Sequence, residues 1–142
     1  MTIEAILSAK GRGVVTIESA APVREAVQLL AQHRIGAVVA LEGGAVAGIL
    51  SERDLLYCLA KEGAGTLDLP VSRVMTAPVI TVTPDVSALA ALSNMSKRRI
   101  RHLPVVEGEK LVGLVSIGDL VAWRIRRIEE EAEAMRAYIQ GA

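Results

Sequence analysis

The sequence predicts a mixed α/β (α+β) fold: two β-α-β-β-α units packed about a pseudo-twofold axis, followed by a long C-terminal helix. Three observations predict it. One unit occurs twice, with Gly48-Ile-Leu-Ser51-Glu-Arg-Asp54-Leu55 recurring as Gly113-Leu-Val-Ser116-Ile-Gly-Asp119-Leu120, 65 positions on. Within each copy the apolar pattern switches between strand and helix spacing. Hydrophobic residues make up 51% of the chain and aromatics only 2%, so Val, Ile, Leu and Ala must fill the core, which favours β-branched strands under Ala/Leu helices.

The same offset, without a gap, carries Val14–Ile17 onto Val79–Val82, Ala26 onto Ala91, Leu30 onto Met95, Arg34-Ile35 onto Arg99-Ile100 and Glu42-Gly43 onto Glu107-Gly108. At 142 residues the chain suits one compact body, and a single copy would leave a sheet face exposed. The copies are therefore expected to pack together, with a ligand cleft between them. Residues 1–62 hold the first unit with its lead-in, 63–125 the linker and second unit, and 119–140 the terminal helix.

In chain order, Ile3–Leu7 reads as a helical lead-in to the first unit, and Val14–Ile17 as a short strand. Pro22 opens a helix that carries Val23, Ala26, Val27 and Leu30 on one face. Ala37–Leu41 and Val46–Leu50 flank Glu42-Gly43-Gly44-Ala45, the composition of a hairpin, and a second helix follows. Lys61–Thr66 is a polar, glycine-containing linker, and Val71–Met75 is one helical turn leading into the second unit. There Thr83-Pro84-Asp85 is a turn, Val86, Leu89, Leu92 and Met95 mark a helix face, and Leu103–Val106 and Leu111–Val115 form the second hairpin around Gly108-Glu-Lys.

Lys plus Arg equals Asp plus Glu at 16 each, so no global field gathers nucleic acid or an anionic membrane, and the scarcity of aromatics removes stacking platforms for bases. Glycines and Glu42 interrupt the most apolar stretch, Ile35–Leu50, which argues against a membrane span. The N-terminus lacks the pattern of a secretion signal, and a cytoplasmic setting is expected. The single cysteine, Cys58, reads as a buried filler, and His33 and His102 lie on different units without a third ligand, so no metal site is expected. No nucleophile–base order or phosphate-binding Gly-Lys loop stands out beyond the repeat, and no enzymatic activity or catalytic cofactor is expected.

The duplicated unit, the G-h-h-S-x-x-D segments that open its last helices, and Arg99-Ile-Arg-His-Leu-Pro104-Val-Val closely resemble the CBS (cystathionine-β-synthase) domain pair over about residues 1 to 125. The resemblance implies clefts that hold AMP, ADP, ATP, S-adenosylmethionine or NAD(H), and a regulatory role. Carried over by position, the ribose-binding acid falls on Asp54 and Asp119, its hydroxyl partner on Ser51 and Ser116, and the first-strand threonine on Thr16 and Thr81. The adenine-contacting strand falls on Ile35, Gly36, Ala37 and Val38, and on Ile100, Arg101, His102, Leu103 and Pro104. Chemistry agrees: a carboxylate can accept from both ribose hydroxyls, and a helix N-terminus suits phosphate. The same Ser-x-x-Asp pairs would also cap their helices, and the two roles are compatible.

Arg53 adds a cation to the first site where the second copy has Gly118, so the sites are expected to differ. Gly36 and Ala37 stand where the second copy has Arg101 and His102, which predicts a roomier, less polar first pocket. Lys97–His102 is a dense basic run that could meet phosphate or simply complement the end of its helix. From Asp119 to Gln140 neither Pro nor Gly occurs, and Val121, Ile125, Ile128, Ala132, Met135 and Ile139 alternate spacings of four and three, a heptad seam. It either packs on its own module or pairs with a second subunit, with Trp123 and Tyr138 as anchors; homodimerisation is favoured. The expected function is a stand-alone sensor of AMP, ATP or NADH that signals to an unknown protein partner. The alternative is a ligand-free dimerisation scaffold.

Overall fold

A computed structural model describes residues 1–141 of the chain. The first repeat comprises β1 (Thr16–Glu18), α2 (Val23–His33), β2 (Ala37–Glu42), β3 (Ala45–Ser51) and α3 (Glu52–Glu62), and it follows α1 (Ile3–Lys10). The second comprises α4 (Ala88–Arg98), β4 (His102–Glu107), β5 (Lys110–Ser116) and α5 (Ile117–Gly141). β1 runs parallel to β2, and β2 pairs antiparallel with β3, Ala37 facing Ser51 and Val38 facing Leu50. β4 and β5 repeat that hairpin, His102 facing Ser116. Both hairpins shift register at the same repeat position, between Ala40 and Leu41 and between Val105 and Val106.

The strand expected at Val79–Val82 shrinks to one parallel bridge, Val82 to Val105, held by Val82 N–H donating to the Pro104 carbonyl at 3.0 Å. Pro78 and Pro84 bracket this segment and offer no N–H to a ladder.

Each repeat has its own core. Val38, Ala40 and Leu50 from one sheet face pack on Val23, Ala26 and Leu30 of α2 and on Leu55 of α3. Leu103, Val105 and Val115 pack on Ala88, Ala91 and Met95 of α4 and on Leu120 and Trp123 of α5. Leu50, like Met95 and Leu120, is fully buried, a contribution of about 2 kcal/mol each. Leu89, expected on the inner face of α4, is exposed, because the helix starts one residue after its Ser87 cap and turns Ala88, Ala91 and Met95 inward.

The lead-ins are exchanged. Ile3, Ile6 and Leu7 of α1, assigned with the first repeat from sequence, are buried in the core of the second, where Ile3 N–H bonds the Val86 carbonyl and Ala88 N–H bonds the Met1 carbonyl, both at 2.9 Å. Val71, ahead of the second repeat, is buried in the core of the first, its N–H 2.8 Å from the Ala21 carbonyl. Gly48 and Gly113 mark where these segments cross the hairpins. A β-carbon on Gly48 would lie 2.6 Å from Met75 Sδ and 2.8 Å from the Thr76 carbonyl oxygen, and one on Gly113 would lie 2.7 Å from the Leu7 side chain.

Two further expectations change. Cys58 is half-buried rather than buried, its carbonyl accepting from the Thr66 hydroxyl at 3.2 Å. Trp123 is no subunit anchor: it fills its own core, its indole N–H without an acceptor among the described residues. Tyr138 is exposed. Among the described residues no helix is long and apolar enough to cross a membrane.

Candidate functional site

The two Ser-x-x-Asp segments both fold as helix caps. Asp54 N–H donates to Ser51 Oγ at 3.3 Å while Ser51 N–H donates to Asp54 Oδ2 at 3.0 Å, a reciprocal capping box. Asp119 N–H donates to Ser116 Oγ at 3.0 Å and Ser116 N–H to Asp119 Oδ2 at 2.8 Å. Capping therefore fixes both carboxylates at helix N-termini, and what faces each of them differs.

Opposite Asp54 is the hydroxyl of Thr76, which donates to Oδ1 at 3.1 Å. The corner opens into a cavity of about 320 Å³, within the range of small-molecule sites. Gly36, Ile49, Ser51, Arg53 and Asp54 line it from the first repeat; Val79, Ile80, Arg99, Ile100, Arg101 and His102 line it from the second. Three guanidiniums thus share one cavity with two carboxylates, Glu52 and Asp54, and four aliphatic side chains. Such an arrangement can grip a flat, partly apolar molecule and neutralise anionic groups attached to it.

At the matching corner of the second repeat, Lys10 at the end of α1 reaches Asp119 Oδ2 at 2.6 Å and also donates to the Leu114 carbonyl at 2.9 Å. Partial burial tends to raise the Asp119 pKa, but the Lys10 hydrogen bond, the Ser116 amide and the Lys10 charge outweigh it and hold it below the usual carboxylate value. His102 shifts the same way for another reason: burial, aided by Arg101, disfavours its charged form against the pull of Asp119 and Glu52.

The cavity unites Gly36, Ser51, Arg53, Asp54, Ile100, Arg101 and His102 among the residues singled out from sequence. Ser116 and Asp119 form the Lys10-filled corner. Thr16, Ile35 and Thr81 do not line the cavity, and Ala37, Val38, Leu103 and Pro104 are buried, Val38 and Leu103 in the two cores. The expectation of a less polar first pocket does not hold, because the Asp54 cavity takes Gly36 from one copy and Arg101 and His102 from the other. Thr76, Val79 and Ile80 were missed. Their signal was the repeat itself: Met75-Thr76 aligns with Lys10-Gly11, so each acid faces the other copy's lead-in.

A family model described as "CBS domain" matches residues 10–61 and again 71–126. The chain belongs to the CBS-domain family. It is 40% identical over 124 residues to the mitochondrial CBS domain-containing protein CBSX3 of Arabidopsis thaliana, covering 84% of this chain but only 60% of that protein's length. The crystal structure of the CBS-domain protein ATU1752 from Agrobacterium tumefaciens superposes with a TM-score of 0.83 at 39% identity, covering 87% of this chain and 92% of that one. The CBS domain pair of MJ0100, solved with 5′-methylthioadenosine and S-adenosyl-L-methionine, gives a TM-score of 0.79 at 25% identity, covering 89% and 98%. The CBS pair, its repeat boundaries crossed by the exchanged lead-ins, is thus the frame on which the cavity is built.

Proposed function

We propose that this CBS pair is a regulatory, homodimeric sensor that binds one adenine nucleotide, AMP, ATP or NADH, in the Asp54 cleft and performs no chemistry on it. The observation that carries the reading is the single cavity lined by both repeats, with Asp54 at one end and Arg53, Arg99 and Arg101 around it. Asp54 accepts from Thr76 at Oδ1 and from the Ser51 amide and hydroxyl at Oδ2, which leaves one lone-pair position on Oδ1 for a ribose hydroxyl, and rotation of the Ser51 hydroxyl frees a second. The base lies against Ile49, Val79, Ile80 and Ile100, and the phosphates turn to the arginines and the N-terminus of α3. The adenosine ligands of the MJ0100 pair support the class of molecule; the arginines favour a phosphorylated member of it.

Because the ligand touches both repeats, it stabilises one relative orientation and alters the surface offered to a protein partner. Isothermal titration of nucleotide-stripped protein with AMP, ATP, NADH and S-adenosylmethionine tests this. A phosphorylated ligand should bind with a stoichiometry of one per chain and lose at least about tenfold in affinity in Asp54→Asn, equivalent to about 1.4 kcal/mol. Absence of binding by any of the four would leave the scaffold reading, which the exposed apolar stripe of α5 favours.

A further inference from the structure

Trp123 pins the base of α5 to the second core, and beyond it the helix leaves the body of the protein. Leu120 and Trp123 are its only buried residues among those described. From Arg124 to Gly141 it extends about 27 Å at a rise of 1.5 Å per residue, and in proteins most helical stability comes from packing of an apolar face, which this stretch does not find within its own chain. Along this projection the seam stays uncovered: Ile125 is 52% exposed, Ile128 49%, Met135 60% and Ile139 67%.

In heptad terms Ile125, Ala132 and Ile139 occupy a, and Val121, Ile128 and Met135 occupy d. The flanking g positions are then Arg124 and Glu131, and the flanking e positions Glu129 and Arg136. The signs alternate. In a parallel, in-register pair each g residue faces the next e residue across the seam, which sets Arg124 against the partner's Glu129 and Glu131 against the partner's Arg136. Twofold symmetry doubles both attractions. In an antiparallel pair with the seam fully overlapped, e faces e and g faces g, so Glu129 would oppose the partner's Glu129 and Glu131 the partner's Glu131. In the single chain Arg136 bonds Glu133 of its own helix at 3.1 Å, an exposed contact it can exchange for the partner's Glu131.

We infer that a second copy of this chain covers the α5 seam as a parallel, in-register coiled coil, with Arg124–Glu129 and Glu131–Arg136 pairs fixing its direction. This rests on the homodimer part of the proposed function and is independent of the nucleotide. The test uses the full chain carrying Cys58→Ala. Under mild oxidation Ile128→Cys should give a covalent dimer, because d positions face each other in a parallel pair, while Glu129→Cys should not. Arg124→Glu should raise the dimer dissociation constant about tenfold, and Arg124→Glu with Glu129→Arg should restore it, since the exchanged charges again alternate.

Cross-linking through Glu129→Cys in place of Ile128→Cys, or failure of the double variant to recover, would overturn the parallel seam and leave a homodimer of another kind. A chain that sediments as a monomer at tens of micromolar would overturn both. Nucleotide titration of the same variants reports on the Asp54 cleft separately.

Discussion

Lys10 and Asp119 form an ion pair of 2.6 Å between the first helix and the last, and it fills the corner of the second repeat that corresponds to the open one at Asp54. Two carboxylates with the same cap geometry are thereby given different neighbours: a neutral hydroxyl from Thr76 on one side, an ammonium on the other.

Removing that ammonium should open the second corner. Lys10→Ala is expected to raise nucleotide stoichiometry from one toward two per chain in a calorimetric titration. Both partners are partly exposed, so the loss of stability should stay below about 1 kcal/mol. An unchanged stoichiometry would mean that Lys10 is not what closes the site.

Asp119 and His102 both titrate below their ordinary values, and in both cases the folded protein binds protons less readily than the unfolded chain. Their contributions are present above the unfolded values, about 6.5 for His102 and about 3.9 for Asp119, and are lost as pH falls through the lower folded ones. The melting temperature should therefore decline in two stages on acidification. His102→Gln is expected to remove the first stage and Lys10→Ala to weaken the second, as thermal melts from about pH 7 to pH 2 would record.

Gly48→Ala should destabilise by about 2 kcal/mol or more, since the added methyl would meet a backbone carbonyl that is itself hydrogen-bonded to Ile49 N–H. Gly113→Ala meets the Leu7 side chain, which is packed in the second core but can shift where a backbone carbonyl cannot, and should cost less. Denaturant midpoints of the two variants check the order.

Arg34 and Arg99 end α2 and α4 in the left-handed region, with φ of 53° and 55°. Glycine adopts that conformation without crowding, so Arg34→Gly should be neutral or stabilising by up to about 1 kcal/mol. Arg99→Gly should share the gain in melting temperature yet lose nucleotide affinity, because Arg99 lines the cavity.

Much of the fold was legible because the repeat aligns without a gap: Asp54 with Asp119 located both helix starts, and the glycine turns located both hairpins. Leu89 misled because spacing alone leaves a helix free to rotate, and the Ser87 cap decided the phase. Trp123 misled because it stands at f, on the face of α5 opposite the seam it was grouped with, and that face is the one turned to the second core. At the cleft, the sequence named Gly36, Ser51, Arg53, Asp54, Arg101 and His102 but could not sort them into one cavity. That sorting depends on the crossing of the lead-ins, a long-range relation that local pattern does not carry.

The crossing also sets the order in which the molecule can be completed during synthesis. Ile3, Ile6 and Leu7 leave the ribosome ahead of both repeats, yet the core that receives them closes only when Leu120 and Trp123 have followed. The first repeat gains Val71 soon after its last helix is made and can close while translation continues. Until the second repeat is made, the chain therefore carries α1 unsheltered, waiting for its seat.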